Sequence, residues 1–348
     1  MRVLFDSRPA SADRTGIGRY AQTLAAVGCG QVAGHELLDG RDCLSFASAW
    51  EEELALPALL EREGVDAFHS PLFRLPSALP ARGVVTIHDA IPATHPHLVT
   101  AAFRELWAEA AEAAARAAAV VCPSAAAKAD VVAALSLAPE RVHVVPETPH
   151  PLFRPASQDE QQGARRRRGL GQGPFLLALG ALELRKAPAV ALDALQARPD
   201  LPPLVFVGPA GAVDLTGEAA RRGLSARVRH LGVLPDEDVV ALLSAASALV
   251  FPSLAEGFGL PLVEAVAVST PVVASALPAV REAAGEAALL VPPGDPSALA
   301  AGVARVLADP GFAAELRARG QARLSAFSPA ALRKALGRVY DALERGAA

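Results

Sequence analysis

The sequence predicts an α/β protein made of two parallel-sheet domains, and three observations carry that reading. The chain has 348 residues, enough for two domains at roughly 150 residues each. Short apolar runs alternate with longer segments of helical periodicity, the pattern of a parallel sheet covered on both faces. That alternation breaks once, at a polar stretch near the middle, and then restarts.

In the first half, Val3-Leu4-Phe5, Ala67-Phe68-His69, Val84-Val85-Thr86-Ile87, Val120-Val121-Cys122 and Val142-His143-Val144-Val145 read as buried strands, with helical patterns at 18–26, 51–63, 102–118 and 126–135. Ser157-Gln158-Asp159-Glu160-Gln161-Gln162-Gly163 then leads into Arg165, Arg166, Arg167 and Arg168 and on to three glycines. Short of apolar anchors, residues 157–172 read as a linker. The arginine run could make a peripheral membrane contact with anionic lipid, although a solvated helix or hinge explains it more simply. Strands resume at 175–179, 204–207, 228–231, 248–251, 272–273 and 289–291, and helices such as 235–244 and 261–268 lie between them. Leu332, Leu336, Val339 and Leu343 recur at helical spacing in a last amphipathic segment. The expected division is 1–156, a linker at 157–172, a second domain at 173–328, and a helix at 329–348 that could pack back on the first domain.

Hydrophobic residues make up 52% and charged residues 20%, so a large core is available and disorder is excluded as the main state. A net charge of −4 gives no reason to expect a nucleic-acid partner. Three cysteines without a C-x-x-C pair fit a reduced, cytoplasmic setting. No secretory leader opens the chain, and the longest weakly polar run, 239–251, falls short of the ~20 residues of a membrane span. The absence of asparagine, and three lysines against thirty arginines, read as a GC-rich genome.

The most informative stretch is Phe251-Pro252-Ser253-Leu254-Ala255-Glu256-Gly257-Phe258-Gly259-Leu260-Pro261-Leu262-Val263-Glu264. A strand ends, a glycine loop follows, and a helix starts near Pro261, whose missing N–H is tolerated in the first turn. A helix N-terminus suits phosphate, and glycines let the backbone come close. Glu256 precedes that helix and Glu264 lies a turn inside it, so the two could each accept hydrogen bonds from sugar hydroxyls on either side of the phosphates. A sugar on each side of a diphosphate is a nucleotide sugar. Directly after the strand at 175–179 comes Gly180-Ala181-Leu182-Glu183-Leu184-Arg185-Lys186. Two cations at a strand's carboxyl end could neutralise a diphosphate leaving group.

Two further motifs belong to the first half. Arg14-Thr15-Gly16-Ile17-Gly18-Arg19-Tyr20 opens a helix and could approach a phosphate or sugar; it resembles a dinucleotide turn, but stands too far from the first strand for one. Thr86-Ile87-His88-Asp89 ends a strand, where His88 could bond a sugar hydroxyl or form a structural pair with Asp89. Asp236-Glu237-Asp238 reads as a helix cap rather than a metal site. No zinc or nucleophile-elbow motif is visible, so no metal is expected.

These motifs, in this order, resemble the retaining glycosyltransferases of family 4, of GT-B architecture. Phe5-Asp6-Ser7-Arg8-Pro9, Cys122-Pro123-Ser124, Lys128-Ala129-Asp130, Val144-Val145-Pro146 and Thr270-Pro271-Val272-Val273-Ala274 extend the likeness over nearly the whole chain. The resemblance implies two Rossmann-like domains facing each other across a cleft, a nucleoside-diphosphate sugar donor, a glycan, lipid-linked or small-molecule acceptor, and no cofactor. It implies that Glu256 contacts the donor sugar and Glu264 the ribose, and that Arg185 and Lys186 hold the diphosphate with backbone amides of Gly257, Phe258, Gly259 and Leu260. His88 would sit by the transferred sugar, with Gly16 and Gly18 approaching it. Ala181 stands where many members carry arginine, and Glu147-Thr148 replaces the usual Asn-Gly. Among relatives the start of the chain looks most like mannosyltransferases of bacterial polysaccharides, which points to GDP-mannose. An epimerase, a glycan phosphorylase, a non-catalytic sugar-nucleotide-binding subunit and an oxidoreductase are the alternatives.

Overall fold

The apolar runs of the first half become strands because both of their faces are covered. The computed structural model describes residues 1–9, 16–40, 44 and 49–346, and it divides into two units, Met1–His150 with Phe327–Ala348, and Pro151–Ala326. In the first unit the order is β1 (Arg2–Phe5), α1 (Gly16–Gly28), β2 (Gly30–Val32), β3 (His35–Asp39), α2 (Ala49–Arg62), β4 (Ala67–Ser70), β5 (Arg82–Thr86), α3 (Ile91–Thr94), α4 (Ala101–Arg116), β6 (Ala119–Cys122), α5 (Ala125–Leu135) and β7 (Val142–Val144). The sheet order is β2-β3-β1-β4-β5-β6-β7, with every pairing parallel except that of β2 with β3. That antiparallel edge pair was not anticipated. Its exposed Gln31 and half-buried Glu36 hide the apolar signal, and the turn at Ala33 and Gly34, with φ of 49° and 91°, makes a tight hairpin.

The second unit runs α6 (Gln158–Arg167), β8 (Leu176–Leu179), α7 (Pro188–Ala197), β9 (Leu204–Val207), α8 (Leu215–Arg221), β10 (Val228–His230), α9 (Asp236–Ala245), β11 (Ala248–Phe251), α10 (Leu260–Ala267), β12 (Val272–Ser275), α11 (Pro278–Ala284), β13 (Leu289–Val291), α12 (Pro296–Ala308) and α13 (Pro310–Arg323). Its sheet is wholly parallel in the order β10-β9-β8-β11-β12-β13. The helices α7, α12 and α13 cover one face of that sheet with Leu192, Leu195, Leu299, Val303 and Leu316, all buried.

The stretch expected to be a linker is instead the first helix of the second unit. Ser157 and Glu160 form a capping box, with the Ser157 N–H donating to Glu160 Oε2 at 2.6 Å. α6 packs on α9, and the arginine run does much of the fastening. Arg165 donates to the carbonyls of Gly171 and Gly173 at 2.6 and 2.9 Å and lies over the Phe175 ring. Arg167 and Arg168 donate to buried Asp238, through their Nε atoms at 3.1 and 2.7 Å. Burial alone would raise the Asp238 carboxyl, but these hydrogen bonds outweigh it and hold the group below its usual range. Asp238 therefore sits in the first turn of α9, as expected of the acidic triplet, yet serves as an ion-pair anchor; α9 has no side-chain cap.

The last helix, α14 (Pro329–Glu344), belongs to the first unit. Leu332, Leu336, Val339 and Leu343 are buried in the same cluster as Tyr20 and Leu24 of α1. A buried chain of hydroxyl and imidazole groups joins it to the sheet: Tyr340 Oη lies 2.9 Å from His69 Nδ1, His69 Nε2 lies 3.1 Å from Thr86 Oγ1, and Thr86 Oγ1 lies 3.3 Å from Tyr20 Oη. Burial pushes His69 down to about 3, so its ring is neutral and one nitrogen must accept. Tyr340→Phe is expected to destabilise the chain by about 1–3 kcal/mol in urea unfolding, because it strands His69 Nδ1 without a partner.

Candidate functional site

In the second unit the chain leaves β8 toward β9 and β10 on one side, and from β11 goes to β12 and β13 on the other. The neighbouring ends of β8 and β11 are thus a topological switch point, where open parallel sheets bind ligands. Two loops meet there, and the amide of Leu254 donates to the Arg185 carbonyl at 2.7 Å. The loop after β8 is set by close backbone approach. A Cβ on Gly208 would fall against the Gly180 carbonyl, so only glycine lets the ends of β8 and β9 pack this way. Beyond it Leu184–Lys186 form a single 3-10 turn. The loop after β11 ends at Gly259, whose φ of 109° starts α10.

These loops bring together Arg185, Lys186 and Glu256. Lys186 Nζ lies 2.6 Å from Glu256 Oε1, which also accepts from Ser253 Oγ at 2.7 Å, and an Arg185 guanidinium nitrogen lies 3.5 Å from Glu256 Oε2. Arg185 Nε also pairs with Glu183 Oε2 at 2.7 Å. Lys186 sits over the Phe251 ring, 5.1 Å from its centre. Only 6% of the Glu256 side chain is exposed. Burial would raise its carboxyl, but Lys186 and Arg185 outweigh burial and hold it below the usual carboxylate range. Lys186 goes the other way: burial lowers its ammonium despite the stabilising Glu256 charge. A small pocket beside the cluster is lined by Gly180, Ala181, Lys186, Phe206, Phe251 and Ser253.

Gly257, Phe258, Gly259 and Leu260 are buried where α10 begins, and Glu264 is buried one turn inside that helix. The sequence reading had not foreseen that the cations' first partner is Glu256 itself, nor the parts taken by Ser253 and Glu183. With Lys186 and Ser253 on Oε1 and Arg185 near Oε2, the carboxylate is oriented while still having lone pairs for a further donor.

The remaining candidates lie in the first unit. Gly16 begins α1 and is exposed, and Gly18 is buried; Arg14 and Thr15 lie outside the described residues. His88 follows β5 and is mostly enclosed. Its Nδ1 lies 2.9 Å from Glu147 Oε1 and its Nε2 3.0 Å from the Pro71 carbonyl. The Tyr20 ring stands edge-on to it, centres 4.9 Å apart. Asp89, expected as a possible partner of His88, instead accepts from the Ile91 amide at 3.0 Å. The histidine's carboxylate is Glu147, the first residue of the Glu147-Thr148 pair.

Residues 161–323 match the family model described as glycosyl transferases group 1, and residues 32–147 the model of glycosyltransferase family 4. The chain is 36% identical over 160 residues to O-antigen chain mannosyltransferase B of Escherichia coli, covering 44% of this chain and 42% of that protein. It is 36% identical over 225 residues to a D-inositol 3-phosphate glycosyltransferase of Thermobispora bispora, covering 60% and 52%. The chain thus spans about half the length of the curated relatives it matches. Among solved structures, HepE of Anabaena with UDP and glucose gives a TM-score of 0.77 at 19% identity, covering 98% of this chain and 100% of that one. Sucrose-phosphate synthase of Thermosynechococcus elongatus gives 0.74 at 22%, covering 99% of each. At such identities the likeness speaks for the fold, and that fold is GT-B. The two matched stretches, each on its own sheet, take in most of the sequence, and together with the fold they support a family-4-like glycosyltransferase.

Proposed function

We propose that the chain transfers a hexose, with mannose favoured, from a nucleoside-diphosphate sugar to a glycan, lipid-linked or small-molecule acceptor, with retention at the anomeric carbon. The observation that carries this reading is the Arg185–Lys186–Glu256 cluster at the switch point beside the start of α10. Arg185, Lys186 and the helix terminus supply positive charge where a diphosphate departs, and Glu256 holds the two cations in place. The bond between the anomeric carbon and the phosphate oxygen breaks, and the acceptor oxygen bonds to that carbon from the same face. The acceptor's proton passes to the departing phosphate oxygen. No metal or organic cofactor enters this scheme, because the side chains already do the electrostatic work. The mannosyltransferase names among the relatives support the choice of sugar, and the UDP and glucose of HepE support a nucleotide-sugar donor.

The reaction belongs in the cytoplasm under this reading. Among the described residues no helix is long and apolar enough to cross a membrane. A thermal-shift screen over nucleoside diphosphates, then transfer assays with the matching sugar donors and proton NMR of the product's anomeric centre, test the proposal. Stabilisation by a nucleoside diphosphate and an axial-to-axial product are expected, with the rate unchanged by EDTA. Binding without turnover would leave a sugar-nucleotide-binding subunit, and an inverted product would remove the mechanism.

A further inference from the structure

His88 presents an unusual pair of contacts: both ring nitrogens face an acceptor. Nδ1 meets a Glu147 carboxylate oxygen at 2.9 Å and Nε2 meets the Pro71 carbonyl at 3.0 Å. A neutral imidazole carries one N–H and could satisfy only one of these, whichever way the ring is turned. Only the imidazolium donates to both. Its side chain is 15% exposed and that of Glu147 9%, so water cannot easily stand in for a lost bond. The two anchors come from different strand ends, Pro71 just after β4 and Glu147 after β7, with His88 itself after β5. The ring is therefore clamped across the carboxyl edge of the first sheet.

We infer that Glu147 is a positioning residue for the proposed transfer: it keeps His88 a doubly anchored cation, whose ring is fixed by its charge and does not serve as a proton-accepting base. This rests on the transferase reading for its link to activity, but the charge state does not. Among the described residues, the Tyr20 phenol that stands edge-on to the ring does not compete: burial pushes it well up, so it is neutral through the working range. Asp89, beside it in the chain, adds a second negative charge in the same sense. Burial alone would lower His88, but the bond and charge of Glu147 outweigh it and the group titrates above its ordinary value.

The consequence is a pH limit with a defined sign. As pH rises through the folded midpoint, the ring loses a proton, one anchor fails, and the ring is free to turn. Transfer should fall on the alkaline side with that midpoint. The test is carbon- and nitrogen-edited NMR of the histidine rings in the full chain, alongside the pH profile of transfer, in the native protein and in Glu147→Gln. In the native protein His88 should carry hydrogen on both nitrogens at pH 7. In Glu147→Gln its midpoint should drop by about one pH unit or more, the effect of removing a neighbouring opposite charge, and the alkaline limb of the transfer profile should move down with it. Glu147→Asp should restore part of the shift.

A native His88 that is singly protonated at pH 7 would overturn the inference, and that measurement stands even if Glu147→Gln does not fold. A midpoint that moves while the transfer profile stays put would overturn the positioning role. Absence of transfer with every donor would defeat the proposed function and with it that role, while the NMR titration would still decide the charge of His88.

Discussion

Replacing Glu256 with alanine is expected to lower sugar transfer by at least about 10³-fold, beyond what loss of one preorganised electrostatic contact costs. Two effects combine. Under the proposed function, the alanine removes the acceptor for sugar hydroxyls, and it frees Lys186 and Arg185, which Glu256 holds in the fold, from the position proposed to meet the diphosphate. The same change should destabilise the second unit by about 3 kcal/mol, the lower end for removing one partner of a buried ion pair, because the 15%-exposed Lys186 side chain loses its closest counter-charge. Denaturant unfolding checks the second effect and a donor-transfer assay the first. Glu256→Gln separates them, since its amide keeps the shape and an acceptor oxygen while losing the charge. Full transfer in the alanine variant would remove Glu256 from the site.

The pH dependence of that pair has a fixed direction. The Glu256 carboxyl is depressed in the folded chain. Its contribution to stability is therefore complete above the ordinary carboxylate value of about 4.3 and is lost as pH falls through the lower folded value. The glutamine variant should lack this part of the acid transition. His88 contributes with the opposite sign: its stabilisation is complete below about 6.5 and fades as pH rises through its raised folded midpoint.

Lys186→Ala is the second large effect. Nucleoside-diphosphate affinity should weaken by about 10- to 100-fold, the equivalent of one lost charged hydrogen bond of about 1.5–3 kcal/mol. Calorimetry reads this directly, and unchanged affinity would detach Lys186 from the phosphates. Arginine in its place should restore little. Lys186 Nζ fits between Glu256 Oε1 and the Phe251 ring as a compact charge, whereas a planar guanidinium needs a wider, bidentate partner. Glu256 remains near Arg185 in the alanine variant, so its carboxyl should rise toward the ordinary value without becoming neutral at pH 7.

Strand and helix alternation, a break in it near the middle of the chain, the helix start near Pro261 and the placing of Arg185, Lys186 and Glu256 after strand ends were all legible in the chain. These depend on period and on local backbone chemistry, which residue order carries directly. The polar stretch at 157–172 shows where that approach stops. It lacks apolar anchors and so resembled a linker, yet Ser157 and Glu160 had the spacing of a capping box, and its arginines are anchored by carbonyls and by Asp238, which lies some seventy residues on. The β2–β3 hairpin escaped because an edge pair with polar residues has no apolar period to read.

What the sequence determined alone is the sheet class, the switch-point loops and the identity of the charged groups that gather there, because these follow from residue type and spacing. Only tertiary structure decided which charge meets which. It paired Lys186 with Glu256, gave His88 to Glu147 in place of its neighbour Asp89, and joined Tyr340 of α14 to His69 of β4. Such contacts span 59 to 271 residues of chain. They arise where packed elements converge, and no local pattern encodes the meeting of two side chains that far apart.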